Sequence, residues 1–412
     1  MPLVNAETCN NCGLCVKVCP GHCVNFHEIN SFVFGAQSKD KLVGNHLNCY
    51  MGYATEDSIR LAGQSGGIVT ALLVVALERG LIDGAVVTRM SPSDPLSPET
   101  LVAESKEEIL SAFGSKYCQV PTNVALKEVL KKRGKYAFVG IPCQMHGVRK
   151  LEKVKSELSK KIVLHIGLFC SHTLSFLATE LLLYKAGVQK TDLANFEYRS
   201  KKWQGWPGDV FFRLKNGKEK FLSRKYRTSI TPFFNPWRCK MCYDQLNEFA
   251  DISCGDALLP EVLSNCRSGM SILITRTEMG EKILQEACSA GAIKIQKTPR
   301  SKVIQSQCGA LFRKKKFIGA HLATTNSLGK SIPEYHVKLP KPSKTKCFVS
   351  LFEYMSTQLP YNPITYNLLV NMPQPLLKLY SFTMSVVEGT RKSCSIWNKA
   401  IQTNKHYRNF CD

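Results

Sequence analysis

The chain has 412 residues, enough for two or three domains, and its 44% hydrophobic and 21% charged residues are ordinary for a globular protein. No apolar run reaches the ~18–20 residues needed to span a bilayer, and the N-terminus lacks the basic and apolar regions of a secretion signal. We therefore expect a cytoplasmic protein whose 18 cysteines are reduced or bind metal rather than form disulfides.

The charge balance is strongly basic. With 55 Lys and Arg against 32 Asp and Glu, the net charge is +23, which favours polyanionic partners. An acidic cofactor, an acidic electron-transfer protein and peripheral contact with an anionic membrane are candidates, and solubility alone is the simplest alternative. No zinc-finger, helix-turn-helix or RNP pattern is present, so we expect no nucleic-acid partner.

Four cysteines near the start of the chain form the first chemical motif. They stand in the C-x2-C-x2-C-x3-C-P spacing of a bacterial-type ferredoxin, as Cys9, Cys12, Cys15 and Cys19 followed by Pro20. Such spacing lets neighbouring thiolates reach three irons of one 4Fe–4S cube. The first three cysteines are therefore predicted ligands, and the fourth is Cys19 or Cys49.

The next part of the chain alternates between two kinds of apolar stretch. Short apolar runs predict buried strands at residues 84–88, 136–140 and 162–167. Longer apolar or amphipathic stretches predict helices at residues 68–77, with Gly80 as C-cap, 107–112 and 122–132. Strands that alternate with helices indicate an α/β sheet, in which ligands bind beyond the carboxyl ends of the strands.

A glycine-rich segment, Gly63-Gln64-Ser65-Gly66-Gly67, leads directly into the first of these helices. Adjacent glycines at a helix N-terminus let backbone N–H groups approach an anion such as a dinucleotide pyrophosphate. A simple helix start capped by the Ser65 side chain is the alternative. Further on, Gly114-Ser115-Lys116-Tyr117 offers a cation, a hydroxyl and an aromatic face, which suit a flavin or an ordinary turn.

Four further cysteines form a second, dispersed group. Cys143 and Cys170 each follow a predicted strand, and Cys239 and Cys242 form a C-x2-C pair. Their spacing alone is compatible with a shared cluster, half a zinc site, a redox pair or ordinary buried thiols.

Residues 326–412 differ from the rest of the chain. Prolines at positions such as 333, 340, 342 and 360 interrupt this stretch, and lysine-rich pieces alternate with apolar ones. Residues 376–387 are compatible with an amphipathic helix. We expect an irregular, basic C-terminal extension, to which the sequence assigns no role.

Several segments together resemble the beta subunit of coenzyme F420-reducing hydrogenase and its dehydrogenase relatives. They occur in that family's order between about residues 45 and 310, and they are Ser65-Gly66-Gly67-Ile68-Val69-Thr70-Ala71-Leu72-Leu73, Leu81-Ile82-Asp83-Gly84-Ala85-Val86-Val87, Gly114-Ser115-Lys116-Tyr117, Ile141-Pro142-Cys143-Gln144, Gly147-Val148-Arg149-Lys150, Cys239-Lys240-Met241-Cys242 and Ala250-Asp251-Ile252-Ser253. An N-terminal ferredoxin module also occurs in members of this group.

The resemblance implies an α/β (α+β) flavoprotein domain at residues 51–325. It would follow a small ferredoxin-like iron–sulfur module at residues 1–50 and precede the basic region at 326–412. The resemblance also implies FAD beside a second 4Fe–4S cluster, whose ligands would be Cys143, Cys170, Cys239 and Cys242, with Cys254 as a competitor. FAD would be held by the two glycine-containing segments, through Ser65, Gly66, Gly67, Thr70, Ser115, Lys116 and Tyr117.

The function implied is that of an F420-dependent iron–sulfur flavoprotein oxidoreductase. It would pass electrons between reduced coenzyme F420 and a one-electron acceptor, with a ferredoxin or another oxidoreductase subunit as redox partner. Lys201 and Lys202 would bind the anionic tail of the coenzyme within a basic clamp that also includes Arg199, Arg224, Lys225 and Arg227. The alternatives are a ferredoxin-dependent reductase of a chlorophyll-type or other organic substrate and a non-catalytic electron-relay subunit.

Overall fold

A mixed eight-stranded sheet forms the centre of the protein, which is represented by a computed structural model that describes residues 5–389. The strands are β1 (Asn48–Ala54), β2 (Gly84–Met90), β3 (Pro98–Ala103), β4 (Tyr136–Gly140), β5 (Ile162–Leu168), β6 (Leu193–Ser200), β7 (Asp209–Leu214), β8 (Glu219–Leu222), β9 (Ile252–Asp256), β10 (Ser271–Thr275) and β11 (Ile293–Lys297). The large sheet has the order β11-β1-β10-β9-β5-β4-β2-β3, and β6, β7 and β8 form a second, antiparallel sheet.

Helices cover both faces of the large sheet. The first nine are α1 (Leu14–Val18), α2 (Phe26–Phe34), α3 (Asp57–Ala62), α4 (Ile68–Glu78), α5 (Lys106–Ser111), α6 (Leu126–Lys131), α7 (Pro142–Val154), α8 (Ser156–Lys161) and α9 (Phe176–Ala186). The others are α10 (Arg224–Phe234), α11 (Trp237–Lys240), α12 (Pro260–Asn265), α13 (Glu278–Ser289), α14 (Arg300–Phe312), α15 (Ile318–Ser327), α16 (Lys344–Gln358), α17 (Pro363–Asn371) and α18 (Gln374–Val387).

Short 3-10 and π-helical turns lie next to some of these helices. Thr122–Ala125, Lys190–Asp192 and Leu359–Tyr361 are 3-10 turns, and Arg313–Phe317 is a π-helical turn between α14 and α15. Residues 122–131 are thus helical as the sequence predicts, although the helix starts with a 3-10 turn.

The strands at the centre of the large sheet are buried on both faces. Ala85 and Val87 pack against α4 and α13, whereas Val86 between them packs with Phe138 against α6 and α7. Strands β2, β4, β5 and β9 run parallel, so their carboxyl ends lie at one edge. The predicted α/β sheet and its three predicted strands are confirmed.

The glycine-rich segment starts α4 without the Ser65 cap that was one of the two expectations. The residue that precedes the helix is Gly67, with a left-handed φ of 75°, and no side chain caps it. The Ser65 hydroxyl instead donates to a carboxylate oxygen of Asp256. Ser65 therefore is not the helix cap, because the loop turns its side chain towards strand β9. At the other end, Gly80 with a φ of 62° follows the helix as predicted.

The N-terminal module and the C-terminal region are both packed on the central domain. Strand β1 spans the expected boundary at residue 50, so the chain enters the large sheet within one strand. Helix α1 packs on α7, and the backbones of Cys23 and Glu334 form an isolated parallel β-bridge. The predicted helix at residues 376–387 is present as α18. Among residues 5–389, no helix has both the length and the apolar character needed to cross a bilayer.

Candidate redox centre

Four cysteines from separate parts of the chain meet beyond the carboxyl ends of β4 and β5. Cys143 lies in the first turn of α7, directly after β4, and Cys170 follows β5. Cys239 lies in α11, and Cys242 follows that helix by two residues. They are close enough to interact electrostatically, since burial first, and then Cys239 and Cys242, raise the pKa of Cys143 and of Cys170. We call these four side chains the inner thiols.

The inner thiols differ in exposure, since Cys170, Cys239 and Cys242 are half-buried and Cys143 is exposed. The Cys143 side chain is exposed, but much of the protein surrounds it at short range. Burial, together with the charges of Cys242 and Cys239, raises the pKa of this thiol to about 12. Burial and the other inner thiols raise the pKa of Cys170 as well. Several buried thiolates cannot coexist without compensating cations, so the arrangement suits a metal centre.

The separation of the inner thiols argues against a single zinc ion. Within residues 5–389, the ligand atoms of three or more His, Cys, Asp or Glu side chains lie within 4.8 Å of one another only at Cys23, Glu334 and His336. One tetrahedral zinc ion, with Zn–S bonds of ~2.3 Å, needs thiolates closer together than that. No three of the inner thiols therefore come as close together as one zinc ion requires, and a four-iron cube separates its thiolates further.

Two cations, one buried and one half-buried, lie near the inner thiols. Lys314, in the π-helical turn, donates to the Asp244 carbonyl at 3.0 Å. Burial alone would lower the pKa of Lys314, but the charges of nearby thiols, Cys242 first, raise it. Arg238 is the second cation, and Cys242 and Cys143 are among its charged neighbours. Sequence reasoning missed Lys314, because a run of three lysines normally marks a solvated helix face.

The potential competitor Cys254 does not join this group. It lies in β9, opposite Leu273 in β10, and is packed in the hydrophobic core. Burial alone raises the pKa of its thiol, with no contribution from an inner thiol. Cys254 is therefore a core side chain.

The ferredoxin-type cysteines lie in an exposed loop and in α1. Asn11 and Gly13 both have left-handed φ values, 55° and 68°, so the backbone turns sharply between successive cysteines. Cys9, Cys12, Cys15 and Cys19 are all exposed. We call them the outer thiols.

Cys49 is placed elsewhere. It lies in β1 opposite Ile274, and burial raises the pKa of its thiol to about 11. Its charged neighbours, Arg276, Arg300 and Asp40, belong to the main domain and the loop before it. Of the two alternatives for the fourth outer ligand, the geometry favours Cys19.

One expectation about the cysteines is wrong. Fifteen cysteines of the described part of the chain are free, but Cys308 in α14 is disulfide-bonded. Its side chain is buried, where dissolved reductants have little access.

Arg238 and α7 connect the outer and inner thiols. The Arg238 guanidinium donates to the Pro20 carbonyl at 2.8 Å and to the Tyr335 hydroxyl at 3.3 Å, while Cys242 and Cys143 are among its charged neighbours. Lys150 of α7 donates to the Cys19 carbonyl at 3.1 Å. The two cysteine groups are thus neighbours in space.

The two segments predicted to hold FAD meet at a buried polar cluster beside the inner thiols. Gln64 donates to the Arg199 carbonyl at 2.6 Å, and Arg199 forms a bidentate ion pair with Asp256 at 2.8 and 3.0 Å. From the other segment, the Tyr117 ring lies 4.5 Å from the Arg227 guanidinium carbon. We call this region, lined by Gln64, Tyr117, His172, Arg199 and Arg227, the cationic pocket.

Several polar atoms of the cationic pocket have no hydrogen-bond partner. They are Gln64 Oε1, His172 Nε2 and Arg227 Nε. Arg227 is buried, and in the described residues no carboxylate lies within 4.0 Å of it. Burial lowers the pKa of this guanidinium. A buried cation without an acidic partner is costly unless an anion binds it.

His172 lies between the cationic pocket and the inner thiols. Its ring centroid is 6.1 Å from that of Tyr117, and its carbonyl accepts from the Cys170 thiol at 3.8 Å. Burial, followed by the charges of Arg313 and Arg227, lowers the pKa of His172 to about 3, so the ring is neutral. Nothing in the sequence pointed to this residue beyond its position two residues after Cys170.

Close backbone packing requires glycine at two positions of the segment Gly63–Gly67. A Cβ on Gly66 would lie 2.5 Å from the Gly52 carbonyl, and one on Gly67 would lie 2.7 Å from the Ile59 carbonyl. The Gly66 amide donates to Ser271 and the Gly67 amide to the Gln64 carbonyl. These amides are therefore engaged within the protein. The two remaining predicted residues, Thr70 and Ser115, are half-buried.

Three predicted lysines have different environments. Lys116 donates to three carbonyls at the end of α5, at 2.8–3.0 Å, and burial lowers its pKa to about 7. Lys201 is buried and donates to the Arg60 and Ser65 carbonyls at 2.6 and 2.7 Å. Lys202 is exposed over the Phe211 ring. Lys201 and Lys202 therefore cannot form one exposed clamp, because the backbone directs these adjacent side chains to opposite sides.

Comparison with known proteins shows the family to which the chain belongs. Models of the coenzyme F420 hydrogenase/dehydrogenase beta subunit match the chain at residues 49–127, for the N-terminal part, and 133–301, for the C-terminal part. The chain belongs to this family. The matched residues include all four inner thiols and both pocket segments, whereas the outer thiols and residues 302–412 lie outside the match.

Two relatives illustrate the family. Coenzyme F420 hydrogenase subunit beta of Methanothermobacter thermautotrophicus is 31% identical over 263 residues, which is 61% of this chain and 84% of that protein. One component of the F(420)H(2) dehydrogenase of Methanosarcina mazei is 28% identical over 283 residues, which is 67% of this chain and 69% of that protein.

A solved structure has the same fold. It is a chain of the F420-reducing [NiFe] hydrogenase complex from Methanosarcina barkeri, with a TM-score of 0.56 and 24% identity over 71% of this chain and 97% of that one. At this identity the likeness concerns the fold.

Proposed function

We propose that the protein is an iron–sulfur flavoprotein oxidoreductase that transfers electrons between reduced coenzyme F420 and a one-electron acceptor. FAD would occupy the cationic pocket, and the inner and outer thiols would each hold a 4Fe–4S cluster. The names of the hydrogenase and dehydrogenase relatives support the coenzyme. The observation that carries the proposal is Arg227, a buried cation with an unpartnered Nε whose charge acts on His172, two residues after Cys170.

The pocket has the chemistry that a dinucleotide requires. FAD carries two phosphates and a ring with hydrogen-bond acceptors, and Arg227 supplies an unpaired cation within a buried site. Gln64 and His172 offer further unpartnered polar atoms, and Tyr117 offers an aromatic face. Ser65, Gly66, Gly67 and Thr70 would shape one wall, and Ser115 and Lys116 the other.

The side chains are arranged for transfer in steps. A flavin accepts a hydride and releases single electrons, which is the exchange that a deazaflavin coenzyme and an iron–sulfur cluster need between them. His172 spans the distance from the pocket to Cys170, and Arg238 spans that from Cys143 and Cys242 to the outer loop. The order of sites along the protein is thus pocket, inner thiols, outer thiols.

The outer thiols are the place for a redox partner. All four are exposed in a surface loop, whereas Cys170, Cys239 and Cys242 are partly enclosed. A ferredoxin or another oxidoreductase subunit would dock there. For the coenzyme tail, the exposed Lys202 and Lys225 remain candidates, but the buried Lys201 does not.

The test replaces Arg227 with Met in anaerobically purified protein. Lys225→Met is the matched control, because it removes the same charge from an exposed position on the same helix. We expect the wild type and the control to contain one FAD and roughly eight irons per chain. Arg227→Met should keep the iron and lose most of the FAD.

The reaction itself is followed by stopped-flow spectroscopy with reduced coenzyme F420. Bleaching of the bound flavin by the coenzyme supports the proposal. Flavin that is reduced by ferredoxin and not by the coenzyme would favour the reductase alternative. Wild-type protein without flavin would favour a non-catalytic electron-relay subunit. Zinc in place of iron would contradict all three.

A further inference from the structure

Helix α16 buries a mainly polar face and exposes an apolar one. Its buried face carries mainly polar side chains, which are Ser350, Glu353, Ser356 and Thr357. Its exposed face carries large apolar ones, which are Phe348, Leu351, Phe352 and Met355. These four stand at positions i, i+3, i+4 and i+7, so they form one continuous stripe. An ordinary surface helix has the opposite orientation, with its apolar stripe against the core.

The polar contacts of the inner face fix this orientation. Glu353 forms an ion pair with Lys240 at 2.5 Å, and the Ser350 hydroxyl lies 3.0 Å from Nδ1 of His321. Another serine of the same face is hydrogen-bonded to Tyr380 of α18. Rotation of the helix to bury its apolar stripe would break these bonds and take the buried Lys240 and His321 away from their partners on α16. The outward direction of the stripe is therefore part of the fold.

The next two helices also expose apolar side chains. Helices α16 and α18 both pack on α10, and α17 lies between them in the chain. Their exposed apolar side chains are Ile364 and Leu368 on α17, and Leu376, Leu379, Val386 and Val387 on α18. We call the exposed apolar side chains of these three helices the apolar helical face. So many exposed apolar residues on consecutive helices mark an interaction surface.

The charges around the apolar helical face have one sign. Between residues 337 and 389 the only acidic residues are Glu353 and Glu388, and both are buried. The exposed charged residues of this stretch are Lys338, Lys341, Lys344 and Lys378. Lysine is depleted from protein–protein interfaces, whereas lysines beside large apolar side chains are typical of helices that lie in the surface of an anionic membrane.

We propose that the apolar helical face binds the surface of an anionic membrane, with the three helices in the interfacial layer and no segment crossing it. The apolar side chains would enter the boundary between headgroups and acyl chains, and the lysines would contact lipid phosphates. This region lies outside the family match and is independent of the redox proposal.

The test is flotation of the full-length holoprotein with lipid vesicles. One set consists of phosphatidylcholine with phosphatidylglycerol, and the other of phosphatidylcholine alone. We expect the protein to float with the anionic vesicles and much less with the neutral ones, and added salt should weaken binding. Failure to float with the anionic vesicles, or equal flotation with both sets, would overturn the proposal.

Substitutions locate the binding surface. Phe348 and Ile364 are 72% and 73% exposed, so Phe348→Gln with Ile364→Gln should leave the fold intact while the vesicle partition coefficient falls at least about tenfold. Val124→Gln with Leu61→Gln removes exposed apolar side chains from the central domain and should change nothing. Lys341→Glu with Lys344→Glu should weaken binding to anionic vesicles alone.

Two results would reject the membrane as the occupant. One is unchanged flotation of the Phe348→Gln, Ile364→Gln variant when its iron content and thermal unfolding match those of the wild type. The other is a vesicle-independent dimer in sedimentation equilibrium that this variant abolishes, because a second copy of the chain would then cover the face.

Discussion

The ammonium group of Lys314 lies against the Cys242 thiol while it donates to the Asp244 carbonyl at 3.0 Å. This position depends on the π-helical turn Arg313–Phe317, which turns Lys314 and Lys315 inwards and leaves Lys316 exposed. π-helical turns occur frequently at functional sites. In this protein the turn places a fixed positive charge beside the proposed inner cluster.

The first prediction concerns the potential of that cluster. Reduction adds a negative charge, which Lys314 stabilises, so Lys314→Met should lower the midpoint potential by on the order of 50–100 mV. Lys314→Arg should retain most of the wild-type value. Lys316→Met removes a charge from the same turn but from an exposed position, and solvent should screen its effect. The measurement is a redox titration monitored by electron paramagnetic resonance, and equal shifts for Lys314→Met and Lys316→Met would refute a local effect.

The second prediction separates Cys19 from Cys49. Cys19→Ser should remove about four irons per chain, because Cys19 belongs to the exposed outer group. Cys49→Ser should retain all the iron and lower the free energy of unfolding by about 1–2 kcal/mol, since it places a hydroxyl in the core. Iron and acid-labile sulfide analysis decides the matter, and loss of iron from Cys49→Ser would reverse the assignment.

The third prediction distinguishes two adjacent lysines. Lys201→Met leaves the Arg60 and Ser65 carbonyls without their donor, so the free energy of unfolding should fall by about 1–3 kcal/mol. Lys202→Met should leave stability unchanged and raise the apparent KM for coenzyme F420 slightly, most at low salt. Thermal unfolding and coenzyme titrations across ionic strength test both statements. A raised KM with unchanged stability in Lys201→Met would show that Lys201 binds the coenzyme.

The fourth prediction concerns the pH dependence of stability through Asp256. Burial would raise the pKa of this carboxyl, but the Arg199 ion pair and the hydrogen bonds of Ser65 and Trp206 lower it to about 2. A lowered pKa stabilises the folded state above the unfolded pKa of ~3.9, and this contribution, on the order of 2 kcal/mol, is lost as the pH falls towards 2.

Asp256→Asn provides the comparison. The variant should be less stable than the wild type at pH 7, and the difference should narrow between about pH 4 and pH 2, where Asp256 becomes protonated. Both proteins carry the same cysteines, so the difference in their unfolding free energies isolates the contribution of the carboxylate. A difference that stays constant over this pH range would mean that Asp256 does not carry its charge in the folded protein.

The order of residues along the chain was enough to predict the central elements. Apolar runs such as residues 136–140 are buried on both faces of the sheet, and that burial is what makes them visible in the sequence. The C-x2-C-x2-C-x3-C-P motif is equally local. By contrast, the meeting of Cys143 and Cys170 with the Cys239–Cys242 pair depends on the parallel order of β4 and β5, which spacing along the chain does not encode.

The environments of several side chains in and around the cationic pocket could not be predicted from the sequence. Lys201 and Lys202 are equivalent in composition, and only the backbone geometry makes one a buried hydrogen-bond donor and the other an exposed cation. Lys314 is hidden for a similar reason, because the wider π-helical turn shifts the phase of the helix at that point. Both cases involve backbone geometry that single-residue patterns do not report.

The parallel bridge between Cys23 and Glu334 has a consequence for synthesis of the protein. The two residues are roughly 310 positions apart, and Arg238 and Tyr335, which hold the outer loop, also follow it by hundreds of residues. At ~5–20 residues per second, the ribosome exposes the outer cysteines roughly 15–60 seconds before Glu334 is made. During that interval the loop cannot dock, so the machinery that inserts iron and sulfide has access to all four thiols from every side.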